Sequence, residues 1–428
     1  MHLLVRETHS LEEAESVVDL GQTPADLVLL SFSDSDLGAW AAAWSAARPG
    51  LPSLRLANLS RLAHPMSVDL YIDRVIAKAR CVIVRLLGGL DYWRYGVEEV
   101  VAACRSRGIA LVLLPGEGGD DPRLSPLSSV GEEMRHRFAA LFAQGGPVNA
   151  TRALALAAHL AGKGADQGLT AEPFPLAGQH DLGLVEGAGR PLAALVFYRS
   201  YLLSGDMAPI NALAAAIAGH GMNVRALYVG SLKEPEAADF IARRLAAWRP
   251  AVVLNATGFS ARRDGDAGSP LDTAGVPVLQ LVLAGSTREA WAASKRGLSQ
   301  TDLAMQVALP ELDGRLLAGA ISFKAEEADV PELEYRRRAH TPDSAGIAAA
   351  AARAAGWVRL GRTAKLERRI AIILSDYPGA GGQIAHAVGL DALASVAEIL
   401  GLLRSDGYAA GDQDVHQPGR QQPRPARR

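Results

Sequence analysis

Short apolar runs alternate with stretches of helical period along most of the chain. In the first 115 residues the runs are Leu3–Val5, Leu27–Ser31, Ser53–Ala57, Cys81–Leu87 and Ala110–Leu114, each of strand length and bounded by polar or small residues. The segment after Asp91 places Val97, Val100, Val101 and Cys104 at i, i+3, i+4, i+7, which predicts a helix with one face on a sheet. From Val130 to Ala161 the period is helical throughout, with Met134, Phe138, Leu141 and Phe142 on one face and Leu154, Leu156, Ala157 and Leu160 in the next segment. Residues 1–161 therefore read as an amino-terminal α/β domain closed by two helices. The interval 162–189 is rich in Gly, Pro and Asp and has little periodicity, which predicts a connection and a boundary near residue 190.

A second alternating series follows over 190–325. Its strands are Leu192–Tyr198, Val224–Val229, Val252–Leu254, Val276–Leu283 and one near Ile321. Asp206 reads as the N-cap of a helix carrying Ile210, Leu213 and Ile217, and Glu236 to Trp248 carries Ile241, Leu245 and Trp248. Ser286-Thr287-Arg288-Glu289 and Ser299-Gln300-Thr301-Asp302 read as capping boxes. A third series opens over 343–408: an Ala-rich helix from Ser344 to Trp357, a strand at Arg369–Leu374, the loop Ser375-Asp376-Tyr377-Pro378-Gly379, and a helix through Leu393, Val396, Ile399 and Leu400. Residues 411–428 are rich in Gln, Pro and Arg and read as a disordered tail. One strand and one helix cannot bury a core, so the expectation is a chain truncated relative to its fold, or ended by a foreign reading frame. The fold class is α/β: consecutive doubly wound units, Rossmann or flavodoxin-like, with parallel sheets, plus a truncated third unit.

If the strands of the second unit are parallel, right-handed crossovers bring the loops that follow them to one edge, where open α/β sheets bind ligands. Those loops open with Arg199-Ser200-Tyr201, Asn255-Ala256-Thr257-Gly258 and Gly285-Ser286-Thr287. A net charge of −2 gives no global field for phosphate backbones, so nucleic acid is not expected as a partner. No uncharged apolar run reaches about 18 residues and no signal peptide is apparent, so no membrane partner and a cytoplasmic location are expected. The two cysteines, Cys81 and Cys104, fall at core positions and read as reduced thiols.

The chain holds no P-loop, no full Gly-x-Gly-x-x-Gly fingerprint, no Gly-x-Ser-x-Gly and no His-Glu-x-x-His; ATP hydrolysis by this chain, dinucleotide binding and a local metal motif are therefore not expected, and metal ligands are unknown. The crevice loops remain. Arg199 offers a planar fork for carboxylates and Tyr198 or Tyr201 a stacking face; alternatively these residues order their own loop. Asn255 and Thr257 either hydrogen-bond a ligand or make a turn. Pro310-Glu311-Leu312-Asp313-Gly314-Arg315 gathers two carboxylates and a guanidinium, either pairing among themselves or facing the cleft to take protons.

The ordered blocks Pro147-Val148-Asn149-Ala150, Tyr198 through Asp206, Asn255-Ala256-Thr257-Gly258-Phe259, Pro277-Val278-Leu279-Gln280, Leu309 through Arg315, and Tyr377-Pro378 followed by Val388-Gly389-Leu390-Asp391 resemble the large subunit of cobaltochelatase, the CobN type, a relative of the large tetrapyrrole-binding component of magnesium chelatase. The likeness runs from residue 1 to about 408 and covers only the amino-terminal part of such proteins. It departs from them at Asp376, and at Gly381-Gly382-Gln383 where Asp-Gly-Arg is usual. The resemblance implies insertion of Co2+, as substrate, into hydrogenobyrinic acid a,c-diamide in aerobic cobalamin synthesis. ATP would be hydrolysed by two smaller partner subunits, one an AAA+ ATPase. On this reading Tyr198, Arg199, Tyr201, Asn255, Thr257, Gln280 and Arg315 contact the tetrapyrrole, Glu311 and Asp313 assist proton removal or metal delivery, and the chain alone is inactive. The alternatives are a magnesium chelatase H-like subunit and a non-enzymatic tetrapyrrole or small-molecule binding module.

Overall fold

The computed structural model describes residues 17–47, 50–116, 121–262, 268–327, 330–374, 385 and 389–410. The expected strand Leu3–Val5, the loop 375–379 and the tail 411–428 lie outside them. Contacts divide the chain into two compact units, Met1–Ala355 and Gly356–Arg428.

Strands β1 (Leu27–Ser31), β2 (Leu54–Asn58), β3 (Cys81–Leu86) and β4 (Ala110–Pro115) form a sheet of order β2-β1-β3-β4, parallel throughout. Parallel strands are covered on both faces, so each run is apolar at successive positions. Val28, Leu30, Val82 and Val84 pack against α2 (Pro65–Arg74) and α3 (Arg94–Arg107), through Val68, Ile72, Val97, Val100 and Cys104. Leu27, Leu29, Cys81 and Ile83 face the other way, onto α1 (Asp34–Ala47), α4 (Glu132–Gln144) and α5 (Gly146–Leu160), through Leu37, Trp40, Trp44, Phe138, Leu141 and Leu154. Cys81 and Cys104 therefore sit in cores on opposite faces as free thiols, and burial pushes both up to about 12.

The second sheet contains β5 (Ala177–His180), β6 (Leu192–Tyr198), β7 (Asn223–Val229), β8 (Val252–Ala256), β9 (Val278–Ala284), β10 (Leu316–Glu326) and β11 (Arg338–Pro342), in the order β11-β10-β9-β8-β6-β7-β5. The five inner strands are parallel and the two edge strands antiparallel. Sequence pattern missed both edges. Ala177–His180 lacks β-branched residues, and Arg338–Pro342 carries a charge and a proline that only an edge tolerates. The connecting helices are α6 (Arg199–Ser204), α7 (Ala208–Gly219), α8 (Pro235–Trp248) and α9 (Arg288–Ala293). Ile241 and Leu245 of α8 join Ala194, Val196, Leu227 and Val253 in one core.

Between β10 and β11 the chain returns to the first sheet. Leu333 and Tyr335 bury themselves among Leu27, Trp40 and Phe138, and Glu334, at φ 48°, accepts from Arg55 at 2.8 Å. Arg55 is itself 6% exposed and also donates to the carbonyls of Thr23, Leu54 and Glu332. This return ties the two sheets into one unit.

Helix α10 (Ser344–Arg362) runs beyond its expected end at Trp357. In the carboxyl-terminal unit, α11 (Ala392–Ser405) forms as expected, whereas residues 369–374 are extended without strand pairing among the described residues. No second strand within the described residues of that unit offers them a partner, so the expected strand at Arg369–Leu374 is a strand in sequence only.

Candidate functional site

Helix α7 leads from β6 to β7 on one side, and α8 carries the chain back across to β8 on the other. The sheet order thus reverses between β6 and β8, and the crevice of an open α/β sheet lies at the carboxyl ends of such a pair. The loop after β6 and the loop after β8 meet there. The Tyr198 hydroxyl donates to the Gly258 carbonyl and accepts from the Gly258 N–H, both at 3.1 Å. Burial pushes this phenol up to about 12.

Asn255, Thr257 and Gln280 form one buried network beneath the loops. Asn255 Nδ2 donates to Gln280 Oε1 at 2.8 Å, Thr257 Oγ1 to Asn255 Oδ1 at 2.8 Å, and Gln280 Nε2 to the Thr257 carbonyl at 2.7 Å. These residues are brought together as expected, but their polar groups face one another and set the turn after β8 rather than opening toward a ligand.

Arg199 is likewise turned inward. Its guanidinium donates to the carbonyls of Pro175, Ala143, Gln144 and Phe174 at 2.6–3.3 Å and stacks on Phe174 with 5.1 Å to the ring centroid. The carboxylate-anchor reading gives way to the loop-ordering one, because the fork already satisfies four backbone acceptors that would otherwise be buried unpaired.

The third loop is capped by a helical run of Gln300–Asp302, the π-helical Leu303–Ala308 and Leu309–Leu312. Asp302 accepts from the Gly285 N–H at 3.0 Å and from Gln306 at 2.7 Å, while Gln306 bonds both N–H and C=O of Leu283. The Phe259 N–H donates to the Met305 carbonyl at 2.6 Å. Ser299 caps as expected; the first box starts one residue later, with Thr287 accepting from Ala290.

Glu311, Asp313 and Arg315 do not join this edge. They immediately precede β10, whose first residue Leu316 pairs with Leu279 while Phe323 pairs with Ala284. The turn therefore stands at the amino-terminal end of the sheet, opposite the crevice, as any residue just before a parallel strand must. Asp313 is buried, accepting from Ser260 Oγ and the Ala261 N–H, both at 2.6 Å, with Arg262 at 3.6 Å and Arg315 at 3.9 Å. Arg315 donates to Asp272 at 2.6 Å and to Ser269. Glu311 is exposed. The self-paired reading of the turn fits this geometry, and the expected proton-taking carboxylates are absent from the cleft.

Three residues that sequence pattern missed do reach the crevice edge. Lys324 and His340 are cross-strand partners on β10 and β11. Asp206 accepts from Lys324 Nζ at 3.2 Å and from the His340 N–H at 2.9 Å. It therefore does not cap α7, whose N-cap is Met207. Tyr201 is stacked edge-on against His340, with centroids 5.6 Å apart, and 6.3 Å from Tyr198. Burial raises the Tyr201 phenol well above its ordinary range. His340 is lowered to about 3, first by burial and then by the Lys324 charge, against the pull of Asp206. It is a neutral hydrogen-bond partner, 3.1 Å from Ser322 Oγ, and a poor base. A lysine inside an otherwise apolar strand, Ser322-Phe323-Lys324-Ala325, was the available signal. Among the described residues no group of three or more His, Cys, Asp or Glu side chains is placed to hold a metal ion.

A family model described as CobN/Magnesium Chelatase matches residues 140–421, which take in this whole sheet and both of its edges. The chain belongs to the CobN/magnesium chelatase family. It is 38% identical over 432 residues to the aerobic cobaltochelatase subunit CobN of Sinorhizobium sp, covering 96% of this chain and 34% of the relative. To the CobN subunit of Pseudomonas aeruginosa it is 35% identical, over 95% of this chain and 33% of the relative. The chain thus spans about a third of the length of these curated relatives. A magnesium-chelatase large subunit from Rhodobacter capsulatus is 26% identical, over 51% of this chain and 19% of the relative. Among solved structures, the catalytic subunit of cobaltochelatase from Mycobacterium tuberculosis superposes with a TM-score of 0.61 at 29% identity, covering 90% of this chain and 31% of that one.

Proposed function

We propose that this chain is part of the tetrapyrrole-binding large subunit of a cobaltochelatase that inserts Co2+ into hydrogenobyrinic acid a,c-diamide, in the cytoplasm, with ATP hydrolysed by an AAA+ ATPase subunit and a second small subunit. The observation that carries the cobalt reading is coverage. Likeness to the CobN relatives runs through 95–96% of the chain, first sheet included, whereas likeness to magnesium-chelatase subunits covers 51–54%. Metal insertion requires a distorted macrocycle, loss of two ring N–H protons and shedding of water by the ion, hence a shaped cleft and a conformational drive. In this reading Arg199, Asn255, Thr257 and Gln280 are the frame of that cleft, and the partly buried rings of Tyr198 and Tyr201 are its apolar lining at the switch point.

The test is a chimera in which this chain replaces the matching third of the Sinorhizobium subunit, assayed with both partner subunits by corrinoid absorbance. Cobalt insertion into the diamide supports the reading; magnesium insertion into a porphyrin in its place overturns it. The 428-residue chain by itself, with both partners added, is expected to give no turnover.

A further inference from the structure

In the carboxyl-terminal unit, Arg368 and Arg369 precede Ile370-Ala371-Ile372-Ile373-Leu374. This run is extended, and its backbone has no strand partner among the described residues. Apolar residues at every position, without alternation, mark a strand meant to be covered on both faces with neighbours on both edges. One face is served: α11 lies along it, and Ile370, Ile372, Val396, Leu400, Leu403 and Tyr408 line a cavity of about 350 Å³ between them. The other is bare, with Ile373 90% exposed. Helix α11 has no buried residue, and its Leu402 is 59% exposed. The segment is nonetheless held in place. Arg368 donates to the Thr363 carbonyl at 3.0 Å and to the Tyr408 hydroxyl at 3.1 Å, and the Tyr408 N–H returns to Leu403.

We propose that residues 370–374 and the adjoining face of α11 are a docking surface for a separate polypeptide equivalent to the part of the cobaltochelatase large subunit that this chain does not span, bound by strand addition. The relatives are about three times as long as the matched region, and a continuing α/β domain supplies what this unit lacks, strands for both edges and helices for the bare face. A second copy of this chain offers only the same single strand, and two strands alone do not make a stable sheet. Strand addition gives affinity through main-chain hydrogen bonds and selectivity through alternate side chains. The proposal rests on the reading above only through membership of the family.

The experiment is coexpression of the full 428-residue chain with the portion of the Sinorhizobium subunit that follows the matched third, with light scattering for stoichiometry and hydrogen exchange at 370–374. A one-to-one complex is expected, with exchange at these amides slowed at least tenfold. Ile373→Asp, at a position too exposed to unfold the unit, should weaken the complex at least tenfold while circular dichroism is unchanged. No complex with a folded partner, or one indifferent to Ile373→Asp, overturns the proposal. Exchange in the 428-residue chain alone is a second reading independent of the partner's folding. Fast exchange at 370–374 supports an open edge, and slow exchange there, whether from internal pairing or a homodimer, overturns it. A complex that forms but inserts no cobalt upholds the docking and counts against the functional reading.

Discussion

Among single residues, the charged groups singled out for chemistry are largely committed to structure. Asp313 satisfies a hydroxyl, a backbone N–H and two guanidinium groups in a buried turn. Asp313→Ala should therefore cost about 3 kcal/mol, since removing one member of a buried ion pair strands the others. Glu311→Gln, at an exposed position, should stay within about 0.5 kcal/mol. Urea denaturation separates the two, whereas a shared catalytic role would have them lower activity together at constant stability. His340 has a folded-state pKa near 3 against an ordinary value near 6.5. The unfolded chain thus binds a proton that the folded chain refuses, so stability falls as pH drops through 6.5 and goes on falling toward 3, by up to about 1.4 kcal/mol per pH unit. A His340→Gln variant should show a shallower loss of stability between pH 6 and pH 4, read from denaturation midpoints.

Elements explain which of these residues meet. Alternation of Leu27 and Leu29 against Val28 and Leu30 across two cores follows directly from apolar runs covered on both faces, and that pattern was legible. So were the parallel order and the convergence of the loops after β6, β8 and β9. The edge strands β5 and β11 were not, because an edge is defined by what it pairs with and needs no apolar pattern of its own. Helix α10 begins tightly against β10, where a Cβ on Gly346 would overlap the Ala320 carbonyl. Gly346→Ala should therefore destabilise the protein by about 1–3 kcal/mol despite the better helix propensity of alanine, as thermal unfolding will register. Arg199→Lys, which replaces a fork serving four carbonyls by a point charge, should cost about 2 kcal/mol and loosen α6. Faster hydrogen exchange over 199–206 is the accompanying sign.

In the whole molecule, the two sheets of the larger unit are held by a segment far along the chain, the return through Leu333, Glu334 and Tyr335 into the first core. Arg55→Ala removes the donor to Glu334 and to three carbonyls, and calorimetry should show one cooperative transition broadening or splitting into two as the sheets unfold separately. The sequence by itself determined the alternation of elements, the parallel inner strands, the core residues on each face and, through its ordered blocks, the family, because all of these depend on local periodicity and spacing. Tertiary structure alone decided that Arg199 faces carbonyls, that Asp206 leaves its helix for Lys324 and His340, and that Glu311, Asp313 and Arg315 stand at the far end of the sheet from Tyr198. Those outcomes turn on which strands neighbour one another and at which end, and so on contacts between residues far apart in the chain, which no window along it can encode.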